Sequence, residues 1–226
     1  GTGNTAWNKN LIQPIHINSQ ASGSVSEDGN GVRARDFGTY LSNKQWHGPV
    51  MSKGLATDTL GLNTADNWEI YSEFHFRTLD NNAIRAMAMM EFGVLDENNE
   101  YLAGVRFVDV MDIDSLVGIL VYVGRNADQS GIERAQVWDE SGYDYFNGSI
   151  YISKMGNNFN FVIHNWTTGK VFNRTIYNEV LGAKKAKTAT IFMGQFKDAA
   201  AYNDMSVTHF KFIKHHTEKM QDVPNI

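Results

Sequence analysis

Regular alternation of apolar and polar side chains over residues 68–76 is the feature that most constrains the fold of this chain. The apolar side chains lie at even-numbered positions, namely Trp68, Ile70, Phe74 and Phe76. The polar ones lie at odd-numbered positions, namely Glu69, Tyr71, Glu73 and His75. Successive side chains of a β-strand point to opposite faces, so this pattern predicts a strand with one buried and one solvated face.

Segments of similar character recur along the rest of the chain. The segment 84–95 is rich in Met and Ala and predicts a strand buried on both sides, and Gly156-Asn157-Asn158 predicts a hairpin between two further strands. Other strands are predicted at 101–110, 117–124, 132–138, 149–155, 159–166, 171–177, 188–196 and 206–214. Two or three short strands are expected in the first 66 residues, and one helical turn within 178–187. The sequence therefore predicts an all-β fold, a two-sheet antiparallel β-sandwich.

Domain organisation is predicted from what the sequence lacks. It shows no internal repeat and no Pro- or Ser-rich linker, and it holds only three prolines in 226 residues. We therefore expect one sandwich over residues 1–218, with the polar segment 219–226 as a linker to the rest of a parent protein.

Composition excludes several partners. The 20 Lys+Arg against 25 Asp+Glu give a net charge of -5, which disfavours binding to nucleic-acid phosphates. No apolar run approaches the roughly 18 residues that a membrane-spanning helix needs. Cysteine is absent, so the chain has neither disulfides nor a thiolate nucleophile. We expect no nucleic-acid or membrane partner.

Catalytic and metal-binding patterns are missing from the sequence. Glu69 and Glu73 are separated by roughly 13 Å on an extended strand, too far to act as a catalytic pair, and are interpreted as part of a solvated sheet face. Asp109, Asp112 and Asp114 leave a structural calcium site open beside the simpler reading of solvated acids. The seven histidines lack zinc-type spacing. We predict no catalytic residue, no metal ligand and no cofactor.

Aromatic residues beside polar ones suggest a binding surface. Sugars stack their C–H faces on aromatic rings and exchange hydrogen bonds with Asp, Asn and Gln side chains. Three segments bring these residue types together, at 138–147, at 164–166 and around Trp46. The competing interpretation is that these rings lie in the core, as we expect for Trp68. The predicted carbohydrate-binding residues are Trp138, Asp139, Tyr143, Asp144, Tyr145, His164, Asn165, Trp166 and Trp46.

Short motifs also connect the chain with a known family. Trp46-His-Gly-Pro49 is followed by Asn67-Trp68 at the start of a strand, then by the Met-rich segment Met87–Leu95 and the turn Asp96-Glu-Asn-Asn. The chain ends on Asp222-Val-Pro-Asn-Ile226. Together these elements resemble the carbohydrate-binding modules inserted in evolved distal tail proteins, at the baseplate of long-tailed phages that infect lactic acid bacteria. The resemblance covers roughly residues 44–125 and 222–226.

This resemblance implies a jelly-roll, galectin-like or concanavalin-like sandwich at the tail tip of a virion. Such a module attaches the particle to the host cell-wall polysaccharide, with neutral sugars as the expected ligands, and contacts other baseplate proteins through its parent chain. The isolated module is expected to be a monomer. Two alternatives stay open: a structural or assembly module of the tail without sugar binding, and a sandwich-fold glycan hydrolase or lyase using Glu69, Glu73 or the acids of 138–145.

Overall fold

The computed structural model describes residues 8–9, 24–28, 31–36, 50–54, 67–78, 87–98, 100–109, 117–124, 133–134, 138–140, 145–196 and 203–214. The strands in these ranges are β1 (Asn8–Lys9), β2 (Ser24–Asp28), β3 (Gly31–Asp36), β4 (Val50–Gly54), β5 (Trp68–Thr78), β6 (Met87–Leu95), β7 (Tyr101–Asp109), β8 (Val117–Val123), β9 (Glu133–Arg134), β10 (Trp138–Glu140), β11 (Tyr145–Met155), β12 (Asn158–Asn165), β13 (Val171–Tyr177), β14 (Thr188–Phe196) and β15 (Asn203–Lys214). The helix α1 (Glu179–Gly182) lies between β13 and β14.

The strands form two antiparallel sheets. The seven-stranded sheet has the order β13-β12-β11-β5-β15-β3-β2, which makes β5 its central strand. The eight-stranded sheet has the order β1-β4-β14-β6-β7-β8-β10, with β9 also paired to β8. Strands from both ends of the chain are interleaved in each sheet, since β3 pairs with β15 and β4 pairs with β14. The predicted two-sheet antiparallel β-sandwich is therefore confirmed.

The core lies between the two sheets. Alternate residues of β5 supply Trp68, Ile70, Phe74 and Phe76, all at most 2% exposed. Aromatic rings join the sheets, because Phe74 contacts Phe92 of β6 with ring centroids 5.3 Å apart. The core position predicted for Trp68 is confirmed. Burying such a ring stabilises the fold by about 2–3 kcal/mol, so the alternation of β5 fixes which face of its sheet meets the core.

The outer side of the eight-stranded sheet is also largely closed to solvent around β6, β7 and β8. Glu91 is 1% exposed and accepts hydrogen bonds from the hydroxyl of Tyr101 and from Nε of Arg106, the latter at 2.7 Å. The guanidinium of Arg106 also lies 5.6 Å from the ring centroid of Tyr122. Residues 91–96 are all buried, as predicted for a strand covered on both sides. The seven-stranded sheet differs, because most of its described outward side chains on β5, β11 and β12 are half-buried or exposed.

Some elements differ from the sequence-based expectation. Within residues 1–66 there are four described strands instead of two or three, and in the segment 132–138, predicted as one strand, the structure describes β9 and the first residue of β10, Trp138. Short strands in glycine-rich segments carry little periodic signal, which explains the difference in the first 66 residues. The predicted helical turn is present as α1, where the Asn178 side chain accepts a hydrogen bond from the backbone N–H of Leu181 and caps the helix.

In the described part of the chain, no helix is long and apolar enough to cross a membrane.

Candidate functional site

The outward face of the seven-stranded sheet carries a group of contacting polar and aromatic side chains at its centre. We call this surface the tyrosine–glutamate face and define it by Glu69, Tyr71 and Glu73 of β5, Tyr151 of β11 and His209 of β15. The alternation of β5 that buries Trp68 and Ile70 puts the three β5 members on the opposite side. Glu69, Tyr71, Glu73 and Tyr151 are half-buried and His209 is exposed.

The two tyrosines of this face lie side by side. Tyr71 and Tyr151 are directly opposite each other in the β5–β11 ladder, which puts their Cβ atoms about 5 Å apart. The hydroxyl of Tyr71 donates to Oε1 of Glu73 at 3.2 Å. The hydroxyl of Tyr151 donates to Oε1 of Glu69. Each ring is thus held by a carboxylate, and the two tyrosine–glutamate pairs point in opposite directions along the strands.

His209 reaches this face through an irregularity in β15. Thr208 pairs with Glu73 and Lys211 pairs with Tyr71, so two residues of β15 stand opposite the single residue Ser72. Such an extra residue is a β-bulge. His209 has a positive φ of 52°, a conformation that residues other than glycine seldom adopt. Its Nδ1 lies 2.6 Å from Oε2 of Glu73. The bulge therefore adds a side chain to the face that a regular strand would not supply.

The environment of the two tyrosines keeps both of them protonated. Burial, the charge of Glu73 and the hydrogen bond to it raise the pKa of Tyr71, against a smaller opposing effect of a hydrogen bond with Ser149. Burial and the hydrogen bond to Glu69 raise the pKa of Tyr151. Neutral phenols are good hydrogen-bond donors and poor bases. The site therefore presents uncharged rings, with carboxylates as the acceptors beside them.

Further polar side chains surround the tyrosine–glutamate face on neighbouring strands. Ser149 of β11 lies between Glu73 of β5 and His164 of β12 in the same cross-strand row. One strand further out, the Thr175 hydroxyl donates to Oδ1 of Asn160 at 2.9 Å. The exposed Lys211 follows the bulge of β15. A row across four neighbouring strands spans roughly 15 Å, enough for about three sugar units.

Trp166 stands at the edge of the same outward face, where a turn joins β12 to β13. Its side chain is 44% exposed, and its backbone N–H donates to the carbonyl of Asn147 on β11 at 2.8 Å. Gly148 makes this approach possible, because a Cβ at this position would lie 1.8 Å from the carbonyl oxygen of His164. The side chain of His164 is exposed on the same side of β12. The exposed side chains of His164 and Trp166 thus flank the buried Asn165.

Asn165 has a different position from its two neighbours. It is 2% exposed, and its Oδ1 accepts hydrogen bonds from the backbone N–H groups of Thr167 at 2.9 Å and Thr168 at 3.3 Å. The side chain thus closes the turn that carries Trp166. A sugar contact by Asn165 stays a prediction, and the position of the side chain makes this residue a support for Trp166.

The other predicted sugar-binding residues are spread over the molecule. Tyr145, at the start of β11, is half-buried and paired with Arg77, so it shares the outward face with His164 and Trp166. Trp138 and Asp139 belong to β10 at the edge of the eight-stranded sheet, where they pair with Ile119 and Gly118. Tyr143, Asp144 and Trp46 lie outside the described residues. The structure brings together Tyr145, His164 and Trp166, and it places β10 in the other sheet.

Glu69 and Glu73 were predicted to lie on a solvated face, and Tyr71, Tyr151 and His209 were not predicted as site residues. The two glutamates are too far apart to form a catalytic pair, and each is hydrogen-bonded to a different tyrosine. One signal for His209 exists in the sequence. Apolar residues alternate as Phe210 and Phe212, but the preceding apolar residue is Val207, so the period of two is broken at the bulge.

Among the described residues, no group of three or more His, Asp or Glu side chains is arranged to hold a metal ion. Asp109 ends β7, and Asp112 and Asp114 lie outside the described residues, so the calcium alternative is untested.

The sequence matches no protein-family model and no curated protein. Solved structures nevertheless share the fold. The CBM2 module of the evolved Dit of Lactobacillus casei BL23 phage J-1 is similar with a TM-score of 0.63 and 14% identity, over 94% of this chain and 92% of that one. The alginate lyase from Klebsiella pneumoniae has a TM-score of 0.54 and 9% identity, over 88% and 86%. The lectin UEA-II from Ulex europaeus, complexed with galactose, has a TM-score of 0.50 and 10% identity, over 92% of both chains.

The likeness to a carbohydrate-binding module of an evolved distal tail protein, expected from short sequence motifs, is thus confirmed as a likeness of fold. Two-sheet sandwiches of this kind include a lectin, a carbohydrate-binding module and a lyase. A shared fold does not decide between binding and catalysis, so the choice depends on the side chains of the site.

Proposed function

We propose that this chain binds a glycan on the tyrosine–glutamate face and catalyses no reaction on it. The observation that carries the proposal is the pair of neighbouring rings, Tyr71 and Tyr151, each oriented by a glutamate on the open side of the sheet. Half-buried tyrosines offer an apolar ring surface and a polar hydroxyl at the same place. Glycans need both, since each sugar unit has an apolar C–H side and a rim of hydroxyls.

Recognition follows from the polar atoms around the rings. Carboxylates accept hydrogen bonds at two oxygens with about four lone-pair sites, so Glu69 and Glu73 can accept from a ligand hydroxyl in addition to their protein partners. Ser149, His164 and Lys211 add donors at the rim of the site. Trp166 provides a second aromatic surface beyond His164, at the edge of the sheet. Across the strands, Tyr71 and Tyr151 form an aromatic row, and Glu73, Ser149 and His164 form a polar row beside it.

The protonation of the tyrosines supports binding over catalysis. A tyrosine that removes a proton from a substrate needs a lowered pKa, and the pKa values of Tyr71 and Tyr151 are both raised. A glycosidase needs two carboxyl groups about 5–9 Å apart on either side of the scissile bond. Glu69 and Glu73 lie roughly 13 Å apart along one strand and are each hydrogen-bonded to a different tyrosine.

The biological setting that we propose is the tail tip of a phage. The fold likeness to the CBM2 module of a phage Dit supports this setting, as do the short motifs of the sequence. The ligand would then be the cell-wall polysaccharide of a bacterial host, and the chain would contact other baseplate proteins through its parent. We also propose that residues 1–218 form one module, because strands from both ends of the chain alternate in both sheets. Several copies around a symmetric tail would strengthen a weak individual affinity.

The proposal is tested by fusing the chain to a fluorescent protein and measuring its binding to cells of lactic acid bacteria. We expect labelling that purified wall polysaccharide competes away, and that Tyr71→Ala and Tyr151→Ala both reduce. The matched control is Tyr177→Ala, because Tyr177 is 60% exposed but lies on the edge strand β13 away from the face. A folded fusion that labels no strain, or one whose labelling is unchanged in both face variants, would contradict the proposal.

A polysaccharide lyase is the second candidate, favoured by the contacts among Tyr71, Glu73 and His209 and by the fold shared with an alginate lyase. Such an enzyme removes the proton next to a uronate carboxyl group and leaves a C=C bond in the product. Incubation with polymannuronate and polyguluronate, followed by the ultraviolet absorbance of that bond, decides the question. Absorbance that grows with time and is lost in Tyr71→Phe would establish the lyase.

A further inference from the structure

The β-bulge of β15 is an unusual structure that brings one additional side chain to the tyrosine–glutamate face. Thr208 and His209 are consecutive residues, yet both lie on the outward side, since Thr208 pairs opposite Glu73 and His209 contacts the same glutamate. The backbone is fixed at this point from both sides. The Ser72 hydroxyl donates to the carbonyl of Thr208 at 2.9 Å, and a Cβ at Gly31 of β3 would lie 2.1 Å from the carbonyl oxygen of Val207.

The positive φ of His209 has an energetic cost with no compensation in the core. A non-glycine residue in the left-handed region is strained, because its Cβ lies too close to the following carbonyl oxygen. The His209 side chain is 65% exposed, so it gains little from packing. Its ion pair with Glu73 lies at the surface, where such a pair contributes little to stability. Strain that stability does not explain is common where a side chain is held for a ligand.

We propose that His209 is a specificity-determining residue of the glycan site, and that its Nε2 hydrogen-bonds a hydroxyl of the sugar unit seated over Tyr71. This inference rests on the proposed function of the tyrosine–glutamate face. Glu73 is an acceptor, so Nδ1 of His209 carries the proton between them. Nε2 is on the other edge of the ring and faces away from the glutamate. The carboxylate therefore fixes the ring and leaves its distal nitrogen for the ligand.

The charges around His209 favour a neutral hydroxyl as its ligand group. On β5 the ring faces the carboxylate of Glu73, with Tyr71 and His75 as the adjacent outward side chains. On its own strand the adjacent outward charge is Lys211. A uronate at Nε2 would lie beside Glu73 and be repelled, whereas a hydroxyl donates to a neutral imidazole and accepts from a charged one. Binding of a hydroxyl at this position is compatible with both protonation states of His209.

Two substitutions separate ligand contact from a structural role. In His209→Asn, the short amide tolerates positive φ and still reaches Glu73, but it has no group at the position of Nε2. In His209→Gly, the backbone strain is relieved and the entire side chain is lost. A residue that only holds Glu73 would be replaced by Asn without loss of binding. If His209 contacts the glycan, its replacement by Asn weakens binding.

The experiment measures binding of the full chain and both variants to immobilised neutral oligosaccharides, of rhamnose, glucose and galactose, and to oligouronates. We expect the unsubstituted chain to bind a neutral member, and both variants to lose about 2- to 10-fold in affinity with an unchanged or higher melting temperature. Full affinity in His209→Asn would overturn the specificity role and leave the proposed function intact. A loss confined to oligouronates would overturn the hydroxyl assignment. Absence of binding to the whole panel would overturn the proposed function together with this inference.

Discussion

Tyr71 and Tyr151 face each other on adjacent strands, and each donates its phenolic proton to a different glutamate. Tyr71 is bound to Glu73, towards the C-terminal end of β5, and Tyr151 is bound to Glu69, towards its N-terminal end. The two rings are thereby anchored in opposite directions. The result is an aromatic surface whose orientation is set by hydrogen bonds within the sheet before any ligand arrives, which lowers the entropic cost of binding.

Removing one hydroxyl at a time tests this anchoring. We expect Tyr71→Phe and Tyr151→Phe each to weaken glycan binding about 2- to 10-fold, because the ring remains but its orientation and one donor are lost. The free energy of unfolding should change by less than about 1 kcal/mol, since both pairs are half-exposed. Calorimetric titration and thermal denaturation measure the two quantities. An unchanged affinity in both variants would show that the hydroxyl groups serve only the sheet.

The exposed Trp166 and the buried Trp68 form a matched pair for separating binding from stability. Trp166→Ala removes a ring that is 44% exposed, and we expect about 3- to 10-fold weaker glycan binding with a melting temperature within a few degrees of the unsubstituted chain. Trp68→Ala leaves a cavity in the core and should cost about 3–5 kcal/mol of stability. A large loss of stability in Trp166→Ala would reassign that ring to a packing role.

Gly148 is expected to control the position of Trp166. A Cβ at Gly148 would lie 1.8 Å from a backbone oxygen, so Gly148→Ala must push β11 and β12 apart. We expect a destabilisation of about 1–3 kcal/mol and a weaker affinity for the glycan. Gly156→Ala is the control, because its Cβ would meet no atom within 4 Å and only its φ of 60° is unfavourable. Its cost should be about 1 kcal/mol, with binding unchanged. Equal effects of the two variants would argue against crowding at Gly148.

The raised pKa values of the two tyrosines predict how stability changes in alkali. An unfolded tyrosine loses its proton near pH 10, whereas Tyr71 and Tyr151 keep theirs to higher pH in the folded chain. Their contribution to stability is therefore complete below about pH 10 and is lost as pH rises through the folded-state pKa values. Denaturant titrations above pH 10 should show a falling free energy of unfolding, with a shallower slope in the Tyr71→Phe/Tyr151→Phe double variant. The tyrosinate absorbance should develop later in the folded chain than in urea, and equal titration curves would contradict this.

The sequence predicted individual strands and their inward and outward sides better than it predicted which strands and side chains lie next to each other. The alternation around Trp68 and Ile70 was enough to identify the core side of β5 and hence the outward side that carries Glu69. Periodicity is a local property, whereas the partner of Glu69 is Tyr151, 82 residues away. Trp138 of β10 and Trp166 were both predicted to bind sugar, and strand order puts β10 and β12 in different sheets. No spacing of residues in the sequence indicates to which sheet a strand belongs.

The bulge at His209 has an evolutionary consequence. Because His209 is the extra residue between Thr208 and Lys211, deleting its codon would restore a regular ladder in which Phe210 stands opposite Ser72. Phe210 and Phe212 would keep their inward side, and Lys211 its outward side. A lineage of such chains can therefore acquire or discard this side chain in one mutational event while the rest of the strand keeps its orientation. Changes of ligand preference at this position need no compensating change in the core.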